Sequence, residues 1–146
     1  MNVANFMSHQ VVTVSAKTPL HEVWKIIFKK HIHGLPVVDE RKKLLGIIAE
    51  EDFLAELFPG YEDLEETLGK LDDVEQIKEK LSKLKKLTAE KIMSKRVVFT
   101  RPDTEVMRAL SRMIVRKVRQ LPVIDEDDRL VGMISKSDIF RRLFNR

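Results

Sequence analysis

The chain has 146 residues, 43% apolar and 34% charged, enough for one ordinary domain or two very small ones and apolar enough to bury a core. It has no cysteine, which excludes disulfides, thiolate metal sites and cysteine nucleophiles, and no apolar run approaches the roughly 18 residues of a membrane span. The net charge of +4 is unevenly spread: residues 1–91 hold 14 Lys/Arg against 16 Asp/Glu, and residues 92–146 hold 13 against 7, so the second half is the part able to attract an anion.

Residues 1–10 have neither a basic start nor an apolar core, so they do not read as a secretory leader, and a cytoplasmic location is expected. A β-branched run follows at residues 11–14, then a polar turn ending in Thr18, a helix N-cap candidate, with Pro19 suited to the first helical position. Leu20, Val23, Trp24, Ile27 and Phe28 recur at helical spacing. Two apolar runs, residues 35–38 and 44–49, flank the polar residues 39–43 and predict a β-hairpin. A second helix starts near Glu50.

Residues 56–91 form a charged insert. Phe58, Pro59, Gly60 and Tyr61 signal a turn. Leu64, Leu68, Leu71, Val74, Ile77, Leu81, Leu84 and Leu87 then mark a helical face, which Gly69 and Asp72–Asp73 can split in two. The first part of this stretch is acidic and the second basic, a polarity that favours a continuous helix dipole. The insert reads as a solvated helical linker with its apolar face on the core, or as a partner or dimerisation surface.

Residues 92–146 repeat the first unit. Shifting the chain by 86 residues superposes Met7-Ser8 on Met93-Ser94, Leu35-Pro36-Val37 on Leu121-Pro122-Val123, and Asp39 on Asp125. Gly46, Ile48 and Asp52 fall on Gly132, Ile134 and Asp138. Val97 to Thr100 repeats the opening run, Thr104 the cap candidate, and Val106, Ala109, Leu110, Met113 and Ile114 the helix face. The order is β-α-β-β-α, twice, an α/β (α+β) fold. One unit has too small a core to stand alone comfortably; two can pack about a pseudo-two-fold axis with ligand clefts between them. The division is 1–55, 56–91 and 92–146.

No glycine-rich phosphate loop, Rossmann fingerprint, metalloprotease helix or nucleophile elbow is present, and His31 and His33 lack further ligands at a diagnostic spacing. No catalytic constellation and no metal site are expected. The informative segment is Gly132 to Asp138, running from a strand into the last helix. Ser135 and Ser137 can cap that helix, whose free N–H groups attract an anion, and Asp138 can accept two hydrogen bonds from a diol. The set suits a ribose carrying a phosphate, although plain capping needs no ligand.

The two copies resemble tandem CBS motifs, the pair called a Bateman module. They share the Met-Ser start, the Leu-Pro-Val-hydrophobic-Asp run and the Gly-hydrophobic-hydrophobic-x-x-x-Asp ending. The resemblance implies a regulatory module that requires no cofactor and binds an adenosine-containing ligand (AMP, ADP, ATP or S-adenosylmethionine) between the repeats. By that resemblance Asp138 holds the ribose hydroxyls, and Ser135, with Ser137 and Lys136, meets phosphate. Arg119 and its counterpart His33 reach the phosphates, and the adenine lies near Ser8, His9, Val11, Ile32 and Gly34. A second, weaker site would use Asp52, Val97, Val118 and Gln120. There Ala49 replaces the hydroxyl, and Glu50-Glu51 bring negative charge where phosphate should go. The family also implies a homodimer and a regulated protein partner. The alternatives are a scaffold with vestigial sites, its function supplied by the insert, and nucleic-acid binding through the basic half. The aromatic platforms of single-strand binders are missing, which disfavours the latter.

Overall fold

The computed structural model describes residues 1–58 and 74–145. A short 3-10 turn, Val3–Asn5, is followed by α1 (Leu20–Lys29), β1 (Gly34–Val38), β2 (Leu44–Ala49) and α2 (Glu50–Leu57). Then come α3 (Val74–Lys85), α4 (Ala89–Ile92), α5 (Val106–Val115), β3 (Gln120–Ile124), β4 (Leu130–Ser135) and α6 (Lys136–Phe144). The helix and sheet content is the mixed fold the sequence implies. The turn signal at Pro59, Gly60 and Tyr61, Leu64, Leu68 and Leu71 of the insert face, and the break at Gly69 and Asp72–Asp73 lie outside the described residues. No helix among those described is long and apolar enough to cross a membrane.

Each hairpin is antiparallel, with Leu35 opposite Ile48 in one and Leu121 opposite Ile134 in the other, and each has an irregularity at the same place, Val37/Val38 and Val123/Ile124. The hairpin turns are built by the aspartates of the repeated motif. Asp39 Oδ1 accepts from the N–H of Arg41 and Lys43, and Asp125 Oδ1 from those of Asp127 and Arg129. An Asx side chain mimics a backbone turn in this way, which gives those aspartates a structural role.

The opening runs differ from expectation. Residues 11–14 and 97–100 do not form full strands; each makes one parallel bridge, Val14 to Val37 and Thr100 to Val123. The helix caps differ too. Thr18 Oγ1 accepts from Ser15 N–H, so α1 starts one residue later, behind Pro19. In the second copy Glu105 takes over, its carboxylate accepting from the N–H of Met107 and Arg108.

The segments that open each copy cross to the other one. Val3 N–H donates to Thr104 O and Ala4 N–H to Pro102 O; 86 residues later, Ala89 N–H donates to Thr18 O and Glu90 N–H to Ala16 O. Ser8 bridges Met133 of β4, and Ser94 bridges Ile47 of β2. Val3 and Phe6 are therefore buried in the second core, with Val106, Leu121, Ile134 and Ile139. Ala89 is buried in the first, with Leu20, Leu35, Ile48 and Phe53. A third cluster, Val38, Ile124 and Leu130, lies where the hairpins meet. There Leu44 N–H donates to Asp128 O and Leu130 N–H to Lys42 O, so the pseudo-two-fold holds bond for bond.

The crossing explains two motif glycines. A Cβ on Gly132 would lie 2.8 Å from Ser8 O and 2.8 Å from Met7 Sδ, and one on Gly46 2.8 Å from Ser94 O and 2.8 Å from Met93 Sδ. Only a residue without a side chain lets the crossing segment approach each hairpin so closely.

Candidate functional site

The strand-to-helix junction of the second copy is a complete capping box. Ser135 is extended, and its Oγ accepts from Asp138 N–H at 3.0 Å. Asp138 Oδ2 in turn accepts from Ser135 N–H at 2.9 Å. Two helix-end donors are satisfied reciprocally. The Ser135 hydroxyl proton stays available, and no partner engages Asp138 Oδ1 among the described residues. Ser137 is exposed beside them, and Lys136 is half-buried.

The matching junction of the first copy keeps half of this device. Asp52 Oδ2 accepts from Ala49 N–H at 2.7 Å, but Ala49 has no oxygen to return the bond. Three carboxylates, Glu50, Glu51 and Asp52, occupy the first turn of α2. Burial raises the Asp52 carboxyl above its ordinary value; the Ala49 N–H pulls it down, and the charge of Glu51 pushes it up again. Anion attraction at this helix start is opposed by three negative groups of its own.

The basic residues before β3 reach the junction. Lys136 N–H donates to Arg119 O at 3.2 Å, and the Arg119 guanidinium donates to His33 Nδ1 at 3.3 Å. Gln120 Nε2 donates to Gly34 O at 3.1 Å, and Gln120 lies opposite Ser135 in the hairpin. These bonds make Arg119, Gln120, Ser135, Lys136, His33 and Gly34 neighbours, with Ser137 and Asp138 following Lys136 on the first turn of α6. Ile32 stands next to them, half-buried, its N–H donating to Ile27 O.

The rest of the expected set is spread out. Ser8 pairs with Met133, two residues before Ser135. His9 and Val11 line a separate cavity of about 420 Å³ near the hairpin turns, with Lys42, Asp125 and Arg129. Val118 packs on the second core, and Val97 is half-buried ahead of Thr100.

Asp138 itself borders a cavity of about 660 Å³ lined by Met1, Asn5, Phe6, Arg141, Arg142 and Asn145. The two arginines lie three and four residues beyond Asp138, on neighbouring turns of α6, a spacing at which helix side chains meet. Sequence reasoning passed over them, although that spacing was there to read. The contribution of Asn5 and Phe6 could not be read locally, because the crossing segment brings them from the other end of the chain.

A CBS domain family model matches residues 3–59 and 89–145. Inosine-5'-monophosphate dehydrogenase of Methanocaldococcus jannaschii is 33% identical over 90% of this chain, which spans 21% of that enzyme's length. Among solved structures, CBSX2 of Arabidopsis thaliana in complex with AMP is similar with a TM-score of 0.75 at 26% identity, covering 99% of this chain and 96% of that one. The CBS domain pair of protein MJ0100, in complex with 5'-methylthioadenosine and S-adenosyl-L-methionine, is similar with a TM-score of 0.68 at 28% identity, covering 98% and 99%.

Proposed function

Because the chain belongs to the CBS domain family, as a tandem pair of CBS domains, we propose that it is a cytoplasmic regulatory module, not an enzyme, that senses an adenosine-containing ligand. The AMP-bound and adenosyl-bound pairs that match it almost end to end support that ligand class. The observation that carries the reading is the Ser135–Asp138 junction. Asp138 keeps one carboxylate oxygen for ribose hydroxyls, Ser135 keeps a hydroxyl proton for phosphate, Arg141 and Arg142 line the cavity beside Asp138, and the backbones of Lys136 and Arg119 are bonded at the junction. The Asp52 junction has the ribose acceptor but a negative surround. It is proposed to stay empty, or to take an uncharged or cationic adenosyl group. Ligand selective for one arrangement of the two copies would shift the population toward it and so alter contact with a regulated protein.

The test is thermal unfolding against AMP, ADP, ATP, S-adenosylmethionine, NAD and cyclic dinucleotides. A ligand at one hundred times its dissociation constant stabilises the native state by about 2.7 kcal/mol. Asp138→Ala abolishes the shift given by a phosphorylated ligand, and Asp52→Ala leaves most of it; equal losses refute the asymmetry. A scaffold with vestigial sites is the second reading. It is favoured by the capping box being satisfied without ligand, and silence of every nucleotide at millimolar concentration would establish it.

A further inference from the structure

The residue ahead of Leu-Pro-Val differs between the copies, and the pseudo-two-fold sets the two side by side. Position 34 is glycine, and its equivalent 86 residues on, position 120, is glutamine. Gly34 lies opposite Ala49 in the first hairpin and Gln120 opposite Ser135 in the second, so each flanks the residue that opens a junction helix. Side chains directly opposite in an antiparallel pair share one face of the sheet, their Cβ atoms about 5 Å apart. What stands at the side-chain place of position 34 therefore lies against Ala49, and what stands at that of position 120 lies against Ser135.

Gly34 has no side chain, and Gln120 fills the place. Its Nε2 donates to Gly34 O at 3.1 Å, and a Cβ on Gly34 would lie 3.0 Å from that nitrogen. The carboxamide of the second copy thus flanks Ala49 of the first, whose N–H binds the Asp52 carboxylate. Gly34 is buried and Gln120 half-buried, so the amide is packed between the copies rather than free in solvent. Nothing reaches across in the other direction, because glycine has no group to lay against Ser135. We propose that Gln120 closes the Asp52 junction: its carboxamide takes the space that a ligand there needs, while the glycine at position 34 keeps the matching space beside Ser135 open. Glu50 and Glu51 repel a phosphate from the Asp52 junction, and the amide excludes an uncharged nucleoside as well. This role for Gln120 rests on the junctions being adenosyl sites, and it decides the Asp52 junction for closure rather than for an uncharged or cationic ligand.

Adenosine is the probe, because it carries no phosphate for Glu50 and Glu51 to repel. Uptake by the full chain is counted by equilibrium dialysis, at concentrations that saturate the wild type. The wild-type chain takes one equivalent, which Asp138→Ala removes. Gln120→Ala keeps the Cβ and deletes the amide; it takes two equivalents, and Asp52→Ala in that background returns it to one. Melts by circular dichroism check that Gln120→Ala folds, and Gln120→Ser serves in its place if it does not. One equivalent in both chains, two in the wild type, or a second equivalent that survives Asp52→Ala overturns the closure by Gln120 and leaves the adenosyl reading standing. No uptake by either chain overturns that reading and the closure with it.

Discussion

The strand-to-helix junctions of the two copies have one backbone and two chemistries. Ala49 sits at φ −128°, ψ 169° and Ser135 at φ −117°, ψ 163°, and in both an aspartate three residues on takes the junction N–H. The main chain there is held by the hairpin, by the segment crossing behind Gly46 or Gly132 and by the shared aspartate, none of which needs the side chain at position 49 or 135. Residues at the junction are consequently free to differ. One copy has a hydroxyl, a lysine and arginines around its aspartate, the other alanine and glutamates. A duplicated scaffold keeps its packing symmetric and leaves its sites free to diverge.

The comparison can be pressed hardest where the copies are covered differently: Leu57 is buried on α2, which α3 packs against, and its equivalent Leu143 is 41% exposed. Leu57→Ala should cost about 3 kcal/mol in urea unfolding, the usual loss for a buried leucine, and Leu143→Ala well under half of that. Equal costs would mean that α3 does not shield the first copy. Next come the crossings, where symmetry should hold. Gly46→Ala and Gly132→Ala each push a methyl onto a backbone carbonyl and should lose about 2 kcal/mol apiece. A difference above about 1 kcal/mol between them would break the equivalence of the two crossings.

The junctions respond more gently. Ser135→Ala removes a cap and should cost about 1 kcal/mol, whereas Ala49→Ser installs one on a backbone already shaped for it and should stabilise by a similar or smaller amount. Last is the pH dependence of Asp52. Its folded-state value is raised by burial, so the fold favours the neutral carboxyl. That contribution is complete below the ordinary value of 3.8 and is lost as pH rises through the raised one. Asp52→Asn should flatten this small decline in a series of urea melts from acid to neutral pH, and an unchanged slope would show that another group causes it.

Much of this was legible because each repeat carries its local rules twice. The 86-residue shift located both hairpins, both amphipathic helices and both junctions, and Leu35 and Leu121 are buried within the apolar runs that marked the strands. What escaped was non-local or decided by a competing bond. Thr18 reads as a helix cap, but its hydroxyl is taken by Ser15 N–H. The β-branched residues 11–14 read as a strand, but most of their length leads the chain from one copy to the other. The separation of His9 and Val11 from Asp138 has the same origin, since a crossing segment obeys no periodicity along its own sequence. Arg141 and Arg142 were missed differently, as a three- and four-residue spacing from Asp138 that was present in the sequence but passed over.

The crossing of residues 1–8 and 87–94 also bears on where such a chain comes from and how it folds. Val3 and Phe6 close a core whose other buried members start about a hundred residues later, and the first core takes Ala89 from beyond the insert, so the first half is finished only once residues 87–94 are made and the second only with the whole chain. Exchange of an identical element is a low-cost route by which single units become dimers. Joining two such exchanged units end to end would give this topology directly. The insert then acts as the leash that turned an association between molecules into one within a molecule, exchanging concentration dependence for the slower closure of a long loop.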